Sequence, residues 1–182
     1  SDTIEIRRQI DFMKECQKKV KSILAICWGL QVAVTAAGGE VKKGKNGAHR
    51  GIAHEIVINP DGLKHLLYKD KKQTFNTPAF NYDEVVALPK DSILLSSNKV
   101  NRVMGVNFKT EVSDIWGIQY HPEITYEKMV TLIKFRKERL LQNKSFSNEE
   151  DMTSHIQIIE DEIKISNKDN RMRELRNWLN FI

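Results

Sequence analysis

Two places in the sequence carry residue types that can do chemistry together. The first is Cys27, which ends the apolar run Ser22 to Cys27 (SILAIC) and precedes Trp28, Gly29 and the helical-looking LQVAVTAA. An apolar strand, a sharp turn and a helix put the thiol at the positive end of that helix, which favours thiolate over thiol. The turn needs small neighbours, and Ala25 and Gly29 supply them. In such an elbow the backbone N–H after the nucleophile can bind an oxyanion. The second place is Gly117-Ile118-Gln119-Tyr120-His121-Pro122-Glu123, where a β-like run ends at His121 and Pro122 breaks the ladder. His121 and Glu123 flank one rigid residue, so the carboxylate can hold one imidazole nitrogen while the other faces a thiol. That is the orienter, base and nucleophile order of a triad. A lone buried cysteine is more often packing, the reading given to Cys16, and a lone His-Pro-Glu is weak. An elbow cysteine and a His-Pro-Glu at two strand ends make a strong signal together.

These residues need elements to position them. Asp2 and Glu5 have capping-box spacing, and Ile6, Ile10, Met13 and Val20 predict an amphipathic helix ending in the Lys-rich QKKVKS. Ser22 to Cys27 reads as a buried parallel strand, and Gly38-Gly39 stops the helix that follows. Gly39 to Gly51 reads as an exposed hairpin or loop. Glu55 to Asn59 is a strand closed by the turn Pro60-Asp61-Gly62, and Gly62 to Tyr68 a short helix. Thr74 to Asp83 reads as irregular. Ser92 to Ser97, Val103 to Phe108 and Ile115 to Tyr120 are strand-like, and Thr125 to Leu141 is a helix. After a polar break, Glu149 to Ile165 and Asn170 to Ile182 predict two more helices. The last carries Met172, Leu175, Trp178, Leu179 and Ile182 along one side. Docking on the same chain is the first reading of that face, and a homodimer or partner contact the second.

Composition narrows the function classes. The chain has 182 residues, 40% hydrophobic and 29% charged, enough for one core and hardly for two domains. The formal net charge of +5 comes from basic residues spread among acids, with no aromatic–basic stripe or nucleic-acid motif, so no nucleic acid is expected. No apolar run reaches the roughly 20 residues a bilayer needs, so no membrane span is expected. The start lacks a basic-then-apolar signal region and two cysteines make no disulfide framework, so the expected setting is cytoplasmic. His49, His54, His65 and His155 lack metal-ligand spacing, and no phosphate loop or dinucleotide fingerprint occurs, so no metal and no cofactor are expected.

Cys27-Trp28-Gly29-Leu30-Gln31 with Gly38-Gly39, and Gly117 to Glu123 further on, resemble the class I (triad) glutamine amidotransferases, over about residues 4–141. The resemblance is to the stand-alone type similar to the glutaminase portion of GMP synthase. It implies an α/β, three-layer, flavodoxin-like fold with a mostly parallel sheet flanked by helices. Residues 1–142 would be the amidotransferase domain and 143–182 a C-terminal helical extension packed on it. It implies Cys27 as nucleophile, His121 as base and acid, Glu123 as orienter and Trp28 N–H as an oxyanion donor. Gly29 and Gln31 would contact glutamine, and the Phe80-Asn81-Tyr82-Asp83 loop would bind it through its backbone at Asn81 and Tyr82. The family releases ammonia to a synthase, here a separate protein. A γ-glutamyl hydrolase or peptidase, or a partner-gated regulatory protein without catalysis, stays open beside it. The resemblance also leads us to expect that the family's first strands, and the loop giving a second oxyanion donor, precede Ser1.

Overall fold

Residues 3–182 are described in the computed structural model, and most of its longer helices start where a side chain can cap them. Helix α1 (Ile4–Lys19) starts behind Thr3, whose side-chain oxygen accepts from Ile6 N. The expected cap Asp2 lies outside the described residues. Strand β1 (Ser22–Ile26) and helix α2 (Trp28–Ala36) follow, with Cys27 between them. Next come β2 (Glu40–Lys43), β3 (His49–Arg50) and β4 (Ala53–Ile58). The expected Pro-Asp-Gly turn is the first turn of α3 (Pro60–Lys64), with Pro60 at its start and Asn59 capping Gly62 N. A 3-10 turn (Leu66–Tyr68) leads to β5 (Thr74–Thr77), β6 (Phe80–Asn81) and β7 (Asp83–Ala87). Then come β8 (Ile93–Ser97), β9 (Gly105–Lys109) and β10 (Asp114–Ile118). The chain ends in α4 (Tyr126–Phe135), α5 (Lys137–Gln142), α6 (Glu149–Ile165), α7 (Lys168–Arg171) and α8 (Arg173–Phe181).

The fold is α/β, with a six-stranded sheet ordered β1-β10-β9-β8-β4-β5. The sheet is not mostly parallel. Only β1 and β10 run parallel, and every other adjacent pair in it is antiparallel. Connection length explains this: the link 110–113 between β9 and β10 can only reverse the chain, whereas a parallel neighbour needs a long crossover. The segment 39–51 is not a hairpin, since β2 pairs with β7 and β3 with β6. The stretch 74–83 is not irregular either. Polar residues alternating with buried Phe75 and Thr77 form edge strand β5, and Pro78 separates it from β6. The expected single helix 125–141 is broken at Arg136, which leaves helical geometry at ψ 13°.

Side chains alternate across the sheet with period two. Ile23, Ala25, Val106, Phe108 and Ile115 face α2, where they meet Leu30, Ala33 and Val34. Leu24, Ile26, Trp116 and Ile118 face the other side, against Leu67, Tyr68, Phe75 and Trp178. Helix α6 lays Met152, Ile156 and Ile159 on Tyr126, Val130 and Ile133 of α4. Helix α8 docks through a face rotated from the expected one: Phe181 stacks on Trp116 at 4.5 Å, Glu174 is fully buried, and Leu179 and Ile182 point to solvent. The rotation follows from polar partners. Lys71 and the carbonyls of Leu67 and Lys69 receive Glu174 and Asn177.

Glycines permit close approach at several points, two of which bear on the sheet and its helices. A Cβ on Gly117 would come 2.4 Å from Leu30 Cδ1, so glycine lets α2 sit directly on β10. A Cβ on Gly62 would come 2.1 Å from Leu95 O, a backbone atom that cannot swing aside. Gly62→Ala is therefore expected to destabilise the protein by about 1–3 kcal/mol in denaturant melts. Gly29→Ala, where nothing lies within 4 Å, is expected to cost nothing or to stabilise α2. Equal stabilities for the two variants would contradict this account of the α3–β8 contact.

Candidate active site

In the parallel pair, Ile26 lies opposite Ile118. Both strands end on the same side of the sheet, so Cys27 and the segment after Ile118 emerge together. Cys27 N–H donates to Ile118 O at 2.8 Å, which ties the elbow to β10. Cys27 has φ 50° and ψ −106°, left-handed backbone that costs a non-glycine residue about 1–3 kcal/mol. The side chain is buried, with 8% of the residue exposed. Helix α2 starts at Trp28, so the Trp28 N–H is among the first four of the helix, which have no intrahelical acceptor.

Around the sulfur, Gln119 Nε2 donates from 3.5 Å and the Phe80 carbonyl oxygen lies at 3.9 Å. His121 Nδ1 donates to Glu123 Oε1 at 2.6 Å, which leaves Nε2 for the sulfur. Burial pulls the proton affinity of His121 down, but the Cys27 and Glu123 side chains, by hydrogen bonding and by charge, outweigh it and raise the pKa to about 9. Both contacts favour the protonated form of His121, whose ring faces the Cys27 sulfur. A thiolate beside an imidazolium can attack an acyl carbon and pass a proton to the leaving group.

The other expected site residues fall around this centre. Gln31 reaches from α2 and donates to Asp83 O at 3.0 Å and Gln119 Oε1 at 3.3 Å. The Trp28 indole leans on α1 and donates to Gln9 Oε1 at 2.5 Å. Asn81 is buried and its side chain is used internally: Nδ2 donates to Asp83 O and Asn101 Oδ1, and Oδ1 faces His49 Nδ1 at 2.8 Å. Tyr82 points its hydroxyl at Ser145 Oγ, 2.5 Å away, while its carbonyl accepts from Gly44 N. A cleft of about 540 Å³ opens beside Trp28, Gln31 and Asp83, and the first turns of α1 form its far wall. Among the described residues there is no group of three or more His, Cys, Asp or Glu able to hold a metal ion, and no helix long and apolar enough to cross a membrane.

Residues 2–138 match the family described as Glutamine amidotransferase class-I. The chain belongs to the class I glutamine amidotransferases. It is 31% identical over 121 residues to a γ-glutamyl-L-1-hydroxyisopropylamide hydrolase from a Pseudomonas species, covering 65% of this chain and 41% of that protein. It is 34% identical over 106 residues to a glutamine-hydrolyzing GMP synthase component of Methanosarcina mazei, covering 58% and 52%. The chain thus spans about half the length of the curated relatives it matches. A glutamine amidotransferase of Thermotoga maritima has the same fold, with a TM-score of 0.71 at 20% identity, over 97% of this chain and 68% of that one.

Two contacts of this candidate site were not assigned from the sequence. Gln119 touches the sulfur, and the signal for it was its place two residues before His121 within the Gly117 to Glu123 motif. The second is His49, which organises the Phe80 to Asp83 loop. Asn98 Oδ1 accepts from the backbone N–H of Val100 and Asn101, which fixes the Asn98 amide so that its Nδ2 donates to His49 Nε2 at 3.0 Å. His49 Nδ1–H then donates to Asn81, so the ring is neutral.

Burial lowers the His49 pKa from its usual 6.5, and its amide partners only partly oppose this; His65 and His155 are lowered by burial too. The unfolded chain takes up these protons first, so the contribution of these three rings to stability is full above about pH 6.5 and declines as pH falls below it, whereas that of His121 is lost as pH rises through about 9. Thermal melts between about pH 8 and 5 should show the midpoint falling on the acid side, with a shallower fall in His49→Gln. An unchanged acid slope in that variant would mean that His49 is not buried neutral.

Proposed function

We propose that this protein hydrolyses the side-chain amide of glutamine to glutamate and ammonia through a thioester on Cys27. The observation that carries the reading is the geometry: Cys27 sits at the elbow before α2, tied to the end of β10, and faces His121, which Glu123 holds at 2.6 Å; these contacts raise the His121 pKa to about 9. The thiolate attacks the amide carbon, and the negative charge moves to the carbonyl oxygen, where the Trp28 N–H is one donor. Collapse breaks the carbon–nitrogen bond as His121 Nε2 gives its proton to the nitrogen, and ammonia leaves. Neutral His121 then takes a proton from water, whose oxygen attacks the thioester. The second collapse releases glutamate and restores thiolate and imidazolium. Gln119, donating to sulfur in the resting site, steadies the thiolate.

In this reading Gln31, Gly29 and the backbone of Asn81 and Tyr82 bound the glutamine site. The relatives that are glutamine-hydrolyzing components of GMP synthase support glutamine as substrate and a separate synthase protein as ammonia acceptor. The cytoplasm, where thiols stay reduced, suits a free Cys27. The Pseudomonas relative supports a second reading, in which the same steps cleave a γ-glutamyl amide and release an amine.

The test is glutamate and ammonia release from L-glutamine by the full-length protein. Cys27→Ser should abolish it, and His121→Ala should lower kcat/KM roughly 10²–10⁴-fold. Release from a γ-glutamyl alkylamide but not from glutamine would move the substrate to the second reading, and release from neither by folded protein would sink both. In the wild type, kcat/KM should fall as pH rises through about 9, because His121 loses the proton the leaving nitrogen needs. Glu123→Gln keeps a hydrogen-bond acceptor but removes the anion, so this alkaline limb should move to lower pH. A limb left in place would deny Glu123 its charge role.

A further inference from the structure

The segment that carries His121 and Glu123 is poorly held by the sheet. Strand β10 ends at Ile118, and beyond it the backbone donors are tied singly: Gln119 N to Met104 O, His121 N to Pro78 O and Ile124 N to His121 O. Gln119 and the Tyr120 ring have side-chain contacts within the domain, and further restraints come from the C-terminal helices, beyond the residues 2–138 that match the family. Arg171 Nη1 donates to the carbonyl oxygens of both Pro122 and Ile124, the second at 2.9 Å, so one guanidinium grips the chain on either side of Glu123. Below the segment, Tyr120 OH donates to Glu174 Oε1 at 2.5 Å, and Glu174 Oε2 meets Lys71 Nζ at 2.8 Å with both side chains fully buried. Lys71 Nζ also donates to Asn170 O at 2.7 Å and lies 4.1 Å from the centre of the Phe75 ring. The Tyr120 hydroxyl is 3.0 Å from that of Tyr68, itself 2.7 Å from Ser96 Oγ.

A buried lysine–glutamate pair is a weak source of net stability, because desolvation offsets its attraction. Its geometry is nonetheless demanding, since a helix that slid or rotated would strand both charges. Here the pair fixes one register of α8 against the chain at Lys71, and through Tyr120 that register is passed to the residue before His121. We propose that Arg171 and Glu174 are positioning residues, which clamp the Tyr120 to Ile124 segment from two sides and so set where His121 and Glu123 stand relative to Cys27. This rests on the triad reading of the site, and not on which amide is the substrate.

The test reads the Cys27–His121 pair without any substrate, as the pH dependence of Cys27 alkylation by iodoacetamide in the full-length protein, using Cys16→Ser as background. Wild type should show an inflection near pH 9, where the imidazolium beside the sulfur is lost. Arg171→Ala and Tyr120→Phe should each move that inflection down by about one unit and lower kcat/KM roughly tenfold, with KM unchanged. Arg171→Lys, which keeps a donor for one carbonyl, should recover part of both. The direction is diagnostic, because removing the Arg171 charge alone would raise the proton affinity of His121, not lower it. If Arg171→Ala fails to fold, Tyr120→Phe carries the test, since it keeps the buried ring. An inflection unmoved in a folded variant would reduce the C-terminal helices to packing and overturn the proposal. A wild type with no inflection would overturn the pairing of Cys27 with His121 and the proposal with it, whereas loss of glutaminase activity alone would bear only on the substrate.

Discussion

Everything at the site depends on one pairing, the parallel register of β1 and β10. With Ile26 opposite Ile118, the residue after one strand and the third after the other leave the sheet at the same end. An antiparallel pair would send Cys27 and His121 to opposite ends, and a slip by one residue would turn Cys27 to the other face. The sheet is otherwise antiparallel, so among the described residues this is the one place where two adjacent strands end side by side in this way. The N–H of Cys27 locks the register by donating to Ile118 O, and the strained elbow is the local cost of turning the chain into α2 at that point.

Beyond the sheet, backbone bonds run out, and side chains take over the holding. On one flank Asn81 spans His49, Asn101 and the Asp83 carbonyl, so the loop whose Phe80 carbonyl faces the sulfur is fastened by amides. On the other, Arg171 and Glu174 fasten the segment carrying His121 and Glu123. The Asn81 cluster and the Tyr120–Glu174–Lys71 cluster are buried, where hydrogen bonds are strong and an unpaired member is costly. Loops held this way keep a defined geometry without being strands. Irregular backbone can therefore carry the chemistry while the sheet supplies only its frame.

The parts of this arrangement legible in the sequence were those with local signatures. SILAIC before Trp28-Gly29 announced a strand and elbow, and Pro122 announced the end of another strand, because apolar runs and ring constraints act within a few residues. The order of strands was not legible in the same way. The resemblance to a parallel α/β family led to the expectation of a mostly parallel sheet, but links as short as 110–113 can only reverse the chain, and they decide the order here. Segments 39–51 and 74–83 hid their strands because these pair at long range and carry mixed polar residues. The buried face of α8 was missed for a related reason. Asn170, Glu174 and Asn177 recur at helical spacing, yet a polar stripe reads as solvated until its buried partners at Leu67, Lys69 and Lys71 are known.

Two histidines show how the neighbours of a ring out of bulk water push its proton affinity in opposite directions. His49 is enclosed by amides, which accept and donate one bond each and offer no charge, so burial decides and the ring stays neutral. His121 is also partly buried, but its neighbours are a thiol and a carboxylate, whose anionic forms gain more from an imidazolium than burial takes away. Acid therefore threatens the first ring and alkali the second. The neutral range between about 6.5 and 9 is where the Asn81 loop keeps its scaffold and the Cys27–His121 pair keeps its proton. The partition follows from what each ring touches: a neutral histidine can complete a hydrogen-bond network as a fixed donor and acceptor, whereas a charged one keeps its proton ready for a leaving group.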